Sequence, residues 1–224
     1  MKKNPYKCAI FDVCGTLFDS NTTYDFCLHK FKCEKEYLKL IFFTFIKIKI
    51  ISFLIFKIFR CDLRALIIKQ LKGVSKDTLK IIAEDFYDNY LSRKMNVKVF
   101  KELYFLKDNG YRIFLASASI DIVISTIAKK NDIDFISSTL SYNSNFLCDG
   151  LLLEDATNRK DVLLEKKFLL TEFDYVYSDN IEDLRLAKKT NVYVYISNSL
   201  YSIVKILKYN GENRFLILIN KFIL

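Results

Sequence analysis

The chain has 224 residues and 26.4 kDa, with 51% hydrophobic and 27% charged residues, which fits one core, or a core with a small insertion, and excludes a disordered chain. Five Gly and one Pro exclude collagen-like and linker architectures, and the single histidine, His29, excludes zinc sites built on several imidazoles. The net charge of +9 is concentrated in residues 30–72, which carry +8, and a basic segment of this kind suits phosphate groups or an anionic membrane surface.

The N-terminal stretch MKKNPYKCAIFDVCGTLF has a basic start but only short apolar runs, broken by Asp12. A signal peptide needs about 7–15 consecutive apolar residues. The cysteines at 8, 14, 27, 33, 61 and 148 form no C-x-x-C pair and are too sparse for a disulfide scaffold. A reduced, cytoplasmic location is expected.

Residues 7–12 predict a strand, and 20–95 a long insertion. Inside it Leu38–Phe59 reads LKLIFFTFIKIKIISFLIFKIF. Lys47, Lys49 and Lys57 interrupt this run, and no charge-free part reaches the ~20 residues of a spanning helix. On a helical wheel Lys39, Lys47, Lys49, Lys57, Arg60 and Arg64 share one sector, but Phe42, Phe43, Ile46, Ile50 and Phe53 fall there too. The β-branched residues and the Lys-Ile-Lys-Ile alternation also suit a strand. Three readings stay open: helices that bury their own apolar residues, a surface resting on the inner face of a membrane through anionic headgroups, and a dimer contact. Nucleic-acid binding is not expected, because no recognised motif accompanies the charge.

The remainder alternates. A helix at 97–108 leads to a strand at 111–116, and a helix at 120–130 to a strand at 133–137. A small hairpin follows at 139–153, with Asp149-Gly150 as its expected turn. A helix at 158–169 precedes a strand at 173–178, and a helix at 181–189 a strand at 192–197. A helix at 199–208 and a strand at 214–220 close the chain. The pattern predicts an α/β fold, a parallel sheet with helices on both faces, whose ligands bind at the carboxyl ends of the strands.

Polar clusters stand where three apolar runs stop: Asp12-Val13-Cys14-Gly15-Thr16, Ser117-Ala118-Ser119, and Ser178 to Asp183. A lone Asp or Ser after a strand is ordinarily a helix N-cap. Three clusters converging on one sheet edge, with carboxylates that repel unless a cation is bound, point instead to an oxygen-rich Mg²⁺ site. Together the motifs resemble the haloacid dehalogenase superfamily of phosphohydrolases. Its D-x-D-G-T motif corresponds to Asp12 through Thr16, its strand-end Ser or Thr to Ser117, its helix-opening Lys to Lys160, and its D-x-x-x-D run to Asp179 and Asp183. Lys166 and Lys167 are rival choices for the lysine. The Ser-Ala-Ser run and the hairpin before Lys160 look most like the branch containing phosphoserine phosphatase and lipid-phosphate phosphatases.

The resemblance implies a Rossmann-like three-layer core formed by 1–19 and 96–224, with a helical cap inserted at 20–95. It implies Asp12 as the nucleophile, forming an aspartyl-phosphate, and Mg²⁺ held by Asp12, the backbone carbonyl of Cys14 and Asp179, with Asp183 helping. Gly15, Thr16, Ser117, Ala118 and Lys160 would bind the phosphoryl group. Cys14 departs from the family, whose second aspartate protonates the leaving alkoxide and activates water. Such acid–base help is worth roughly 10²–10⁴-fold, and a thiol with a pKa near ~8.5 is a poor substitute. Two readings follow. One is a Mg²⁺-dependent phosphatase acting on a phosphorylated small molecule or a lipid-linked phosphate. The other is a catalytically impaired member that binds phosphorylated ligands or associates with membranes.

Overall fold

Strand β1 (Cys8–Phe11) is apolar at every position and buried on both faces, as a central strand under two helical layers must be. The computed structural model describes residues 6–46, 62–180, 183–197 and 214–219. The other strands are β2 Arg112–Ile120, β3 Asp134–Tyr142, β4 Cys148–Glu154, β5 Phe173–Ser178, β6 Thr190–Ser197 and β7 Arg214–Ile219. They form one seven-stranded sheet in the order β4-β3-β2-β1-β5-β6-β7. Each neighbouring pair is parallel except β3 with β4. The expected α/β class is the one observed.

The helices are α1 Thr22–Cys33, α2 Tyr37–Ile46, α3 Leu63–Lys69, α4 Lys76–Asn89, α5 Val97–Asp108, α6 Asp121–Asn131, α7 Lys160–Phe168 and the single turn α8 Leu184–Ala187. Asn21, Ser75 and Asn96 cap α1, α4 and α5, each side chain accepting from an amide of the first turn. Along β1 and β2 the pleat divides the core. Ala9, Phe11, Ile113 and Leu115 pack with residues of α1, α4, α5 and α6. Cys8, Ile10, Phe114 and Ala116 pack with Leu163 and Leu164 of α7. Between β1 and α5 the described elements are helical. Their buried residues Phe26, Phe31, Ile67, Leu79 and Phe86 belong to the same apolar cluster as Phe11 and Leu115. Among the described residues no helix is long and apolar enough to cross a membrane.

Four expectations need correction or lie outside the described residues. The β3–β4 turn is made by 143–147, where the Asn143 side chain accepts from the amides of Asn145 and Leu147. Asp149-Gly150 lies inside β4. Gly150 has φ +73°, and a Cβ there would sit 3.0 Å from the Lys69 carbonyl oxygen, so the glycine admits the end of α3 against the strand. β2 continues past 116 through the Ser-Ala-Ser run, with a register shift against β3 between Ala116 and Ile120. The helix expected at 199–208 falls outside the described residues, as do Lys47, Lys49, Lys57 and Arg60.

Candidate active site

Parallel register brings the chemistry together. Ile10 and Phe11 pair with Phe114 and Leu115 on one side and with Val176 and Tyr177 on the other. The residues just beyond these pairs are Asp12, Ser117 in the last part of β2, and Asp179, which therefore meet at one carboxyl edge. The irregularity in β2 falls on Ser117–Ser119, and bulges of this kind re-aim side chains at sheet edges. Ser117 is buried, and its hydroxyl accepts from the Ser119 amide at 3.2 Å.

Asp12 is buried, with its amide donating to the Tyr177 carbonyl at 2.9 Å. Its Oδ1 accepts from the Val13 amide at 2.8 Å and lies 3.0 Å from Lys160 Nζ. Lys160 is equally buried and also donates to Asp183 Oδ2 at 2.7 Å. Ser178, unremarked in the sequence beyond its strand-end position, donates to the same Asp183 oxygen at 2.6 Å. Burial pushes the Asp12 carboxyl up to about 6, with Lys160 opposing and Asp183 adding to the rise. Burial disfavours the Lys160 ammonium, yet Asp12 and Asp183 outweigh it and hold its pKa above the ordinary value. Lys166 and Lys167 lie elsewhere, at Glu154 and at the Phe135 carbonyl.

Asp179 sits against Gly15. A Cβ on Gly15 would lie 2.0 Å from Asp179 Oδ2, and the glycine has φ +69°, so only glycine fits. Burial first, then the charge of Asp12, pushes the Asp179 carboxyl up to about 7. Among the described residues no lysine or arginine forms an ion pair with it. Thr16, expected to touch the phosphoryl group, is fully buried instead. Its hydroxyl accepts from the Asp179 amide at 2.9 Å and donates to Oδ1 at 3.4 Å. Asp183 Oδ2 accepts from Lys160 and Ser178, and Asp12 Oδ1 from Val13 and Lys160, and both carboxylates line the same cavity as Asp179. Carboxylate oxygens of this kind suit a hard divalent ion.

Cys14 is half-buried and tied into a hydroxyl cluster. Its sulfur is 3.1 Å from Thr22 Oγ1 and 3.4 Å from Ser119 Oγ, and it accepts from the Thr22 amide at 3.4 Å. Thr22 and Ser119 bond each other, and Thr23 donates to Ser119 at 3.0 Å. Desolvation and the neighbouring Asp12 charge push the thiol pKa up. Thr22 and Thr23 carried no signal in the sequence, because their relation to Cys14 and Ser119 exists only in space.

A cavity of about 1000 Å³ opens over these strand ends. Asp12, Cys14, Gly15, Ser117, Ala118, Lys160, Asp179 and Asp183 line its floor, and Tyr24, Asp25, Leu63, Arg64 and Ile67 line the side formed by α1 and α3. Thr16 is not among its lining residues. Arg64 was read from sequence only as one of a basic face. Its NH1 donates to both Asp155 oxygens at 2.9 Å and to Thr157 at 2.8 Å. Its NH2 donates to the Ala118 carbonyl at 2.6 Å and to Ser138 at 2.8 Å.

No curated protein sequence matches the chain. Solved structures share its fold at low identity. A Bordetella pertussis Tohama I protein of unknown function superposes with a TM-score of 0.74 at 16% identity, covering 95% of this chain and 99% of that one. A phosphoserine phosphohydrolase-like protein from Francisella tularensis gives 0.59 at 16%, covering 95% and 94%. A phospho-aspartyl intermediate analogue of phosphoserine phosphatase gives 0.53 at 18%, covering 93% and 100%. The family model for haloacid dehalogenase-like hydrolases matches residues 9–188, a span that runs from β1 and Asp12 through Asp183, and the chain belongs to that family.

Proposed function

We propose that the protein is a Mg²⁺-dependent phosphatase that hydrolyses a phosphomonoester through an aspartyl-phosphate on Asp12. The observation that carries this reading is the convergence of Asp12, Lys160, Asp183 and Asp179 beside Ser117 at the mouth of one cavity. We read 1–19 and 96–224 as the catalytic core and 20–95 as its cap. Mg²⁺ would be held by the Asp12 carboxylate, the carbonyl of Cys14 and Asp179, and would supply positive charge to the phosphoryl oxygens.

Asp12, oriented by the Val13 amide and Lys160, attacks phosphorus as the ester P–O bond breaks and the alkoxide leaves. Ser117 and the amide groups near Gly15 and Ala118 hold the phosphoryl oxygens, and Lys160 offsets the charge that gathers on them. Thr16 acts behind this contact, fixing Asp179. Asp183 and Ser178 aim Lys160. The neutral Cys14 thiol can donate a proton to the alkoxide. The thiolate left by that donation can take the proton of the water that attacks phosphorus, whereas a leaving group that departs without the proton leaves Cys14 neutral and the water without a base; in either case the P–O bond to Asp12 breaks and inorganic phosphate is released.

The substrate is a phosphorylated small molecule, in the interior of the cell. Among the described residues no cysteine is in a disulfide, which supports a reducing compartment. One observation favours a lipid-linked phosphate at the membrane's inner face: α2 leaves Leu38, Ile41, Phe42 and Phe45 exposed. The test is phosphate release from a panel of phosphorylated metabolites and phospholipids with Mg²⁺. Asp12→Asn should abolish turnover by a factor of ~10³ or more while leaving the circular dichroism unchanged. Full activity in that variant would falsify the assignment. Activity only after Cys14→Asp would replace it with the reading of an impaired, ligand-binding member.

A further inference from the structure

Away from the cavity, α1 and α4 hold a second set of metal-ligating side chains. His29 and Cys33 lie one turn apart on α1, and Asp85 faces them from α4. His29 Nε2 is 2.6 Å from Asp85 Oδ2, and Cys33 Sγ is 3.9 Å from the same oxygen. One atom from each of the three lies within 4.8 Å of the others. Zinc–ligand bonds of about 2.0–2.3 Å in a tetrahedron put ligand atoms about 3.3–3.5 Å apart. The observed separations bracket that value, so small side-chain adjustments would close the site.

The supporting shell is also in place. The imidazole packs against Phe86 and Tyr90, with ring centroids 5.4 and 6.4 Å away. The Asn89 side chain donates to the other Asp85 oxygen at 2.7 Å, fixing the carboxylate. The His29 side chain is 11% exposed, while Asp85 is 46% exposed and Cys33 is at the surface, so an ion can enter from solvent. The composition excluded a site built on several imidazoles. It did not exclude one that takes its three ligands from three residue types.

We propose that His29, Cys33 and Asp85 form a zinc site that staples α1 to α4, with a fourth position open to water. Nitrogen, thiolate and carboxylate donors suit Zn²⁺ and not Mg²⁺. Binding displaces the Cys33 thiol proton to solvent and replaces the His29–Asp85 contact with two bonds to the ion. The site is independent of the phosphatase reading.

The test uses the full chain with Co²⁺ as a spectroscopic stand-in. One equivalent should give a sulfur-to-cobalt charge-transfer band that one equivalent of Zn²⁺ removes. Cys33→Ser, a surface change, should abolish the band, and His29→Ala should weaken Co²⁺ binding by about tenfold or more. Asp179→Asn should leave the band intact, which separates this site from the strand-end carboxylates. No band at one equivalent overturns the proposal. So does a band that survives Cys33→Ser but is lost in Cys14→Ser, because the ion would then lie in the cavity.

Discussion

Cys14 and Asp179 control the candidate site through the protons they hold. A thiol with a raised pKa stays protonated at neutral pH and is a weak acid; after a leaving group that needs no proton it is still neutral, and so cannot take the proton of the attacking water. The second chemical step should therefore be the slow one. With an aryl phosphate, wild type should show a burst near one equivalent of phenol and then a slow steady state. Cys14→Asp should raise the steady state by ~10²-fold and remove the burst. Equal rates with no burst in either protein would sink this account. Asp179 makes a different prediction. Its folded pKa of about 7, and that of Asp12 at about 6, lie above the ordinary 3.8. The folded protein therefore binds more protons than the unfolded chain between those values, and these groups remove stability as pH rises from ~4 to ~7. Without metal, Asp179→Asn should be more stable than wild type at pH 8, on the order of 2 kcal/mol, with little difference at pH 4. Adding Mg²⁺ at pH 8 should raise the wild-type Tm and leave the variant unmoved. At this scale Asp12, Ser117, Lys160, Asp179 and Asp183 could be read from the chain, because each stands where an apolar run ends or a helix opens. Arg64 could not. Its partners Ala118, Ser138 and Asp155 lie far along the chain, and an arginine in a basic segment has no local mark of a buried contact.

The elements were legible where hydrophobic period and length agreed: α5, α6, α7, β5, β6 and β7 lie close to their expected spans. The errors have one cause, a tertiary contact overriding a local signal. Asp149-Gly150 has the chemistry of a tight turn, yet Gly150 serves the approach of α3 and the turn falls at 143–147. β2 runs on through three small residues, Ser117, Ala118 and Ser119, because β3 continues beside it. In α2, Phe43 and Ile46 are buried, while Leu38 is 86% and Phe45 60% exposed. An apolar face of this size, inside a segment carrying +8, is the element-scale ground on which membrane contact is proposed. The protein should co-sediment with vesicles containing phosphatidylserine more than with phosphatidylcholine alone. Each basic residue near such a surface contributes about 1 kcal/mol, screened beyond a Debye length of ~10 Å at 0.1 M salt. Replacing Lys47, Lys49 and Lys57 with Gln should erase the preference for anionic lipid. Phe42→Gln with Phe45→Gln should lower binding to both. Wild type staying in the supernatant at low salt would leave α2 for another role and favour a soluble ester.

In the whole molecule, the described helices between β1 and α5 are tied to the sheet at several points, among them Thr22 and Thr23 at Ser119. Arg64 ties α3 to the end of β2 and to Asp155 beside the hairpin. Gly73 and Val74 exchange backbone hydrogen bonds with Cys148 at 2.8 and 2.9 Å. Burial lifts the Asp155 carboxyl, but the Thr157 amide and Arg64 outweigh it and hold the pKa below the ordinary range. Beneath these ties lies the apolar cluster that Phe26, Phe31 and Phe86 share with Phe11 and Leu115. A cap with its own core could swing away on its linkers; here, lifting α1 and α4 would expose the underside of β1. The shared cluster also sets how the chain comes apart in time. Hydrogen exchange reports opening events, and segments that share a core open together. The slowest amides of α1 and α4 should exchange at the rate of those in β1 and β2 and respond to denaturant with the same slope. Faster exchange of α1 and α4 as a separate group would mean that the insertion melts first. A common rate would make helices and sheet one cooperative unit, in which a destabilising change at Phe86 is felt as strongly at Asp12 as one made in the strand beside it.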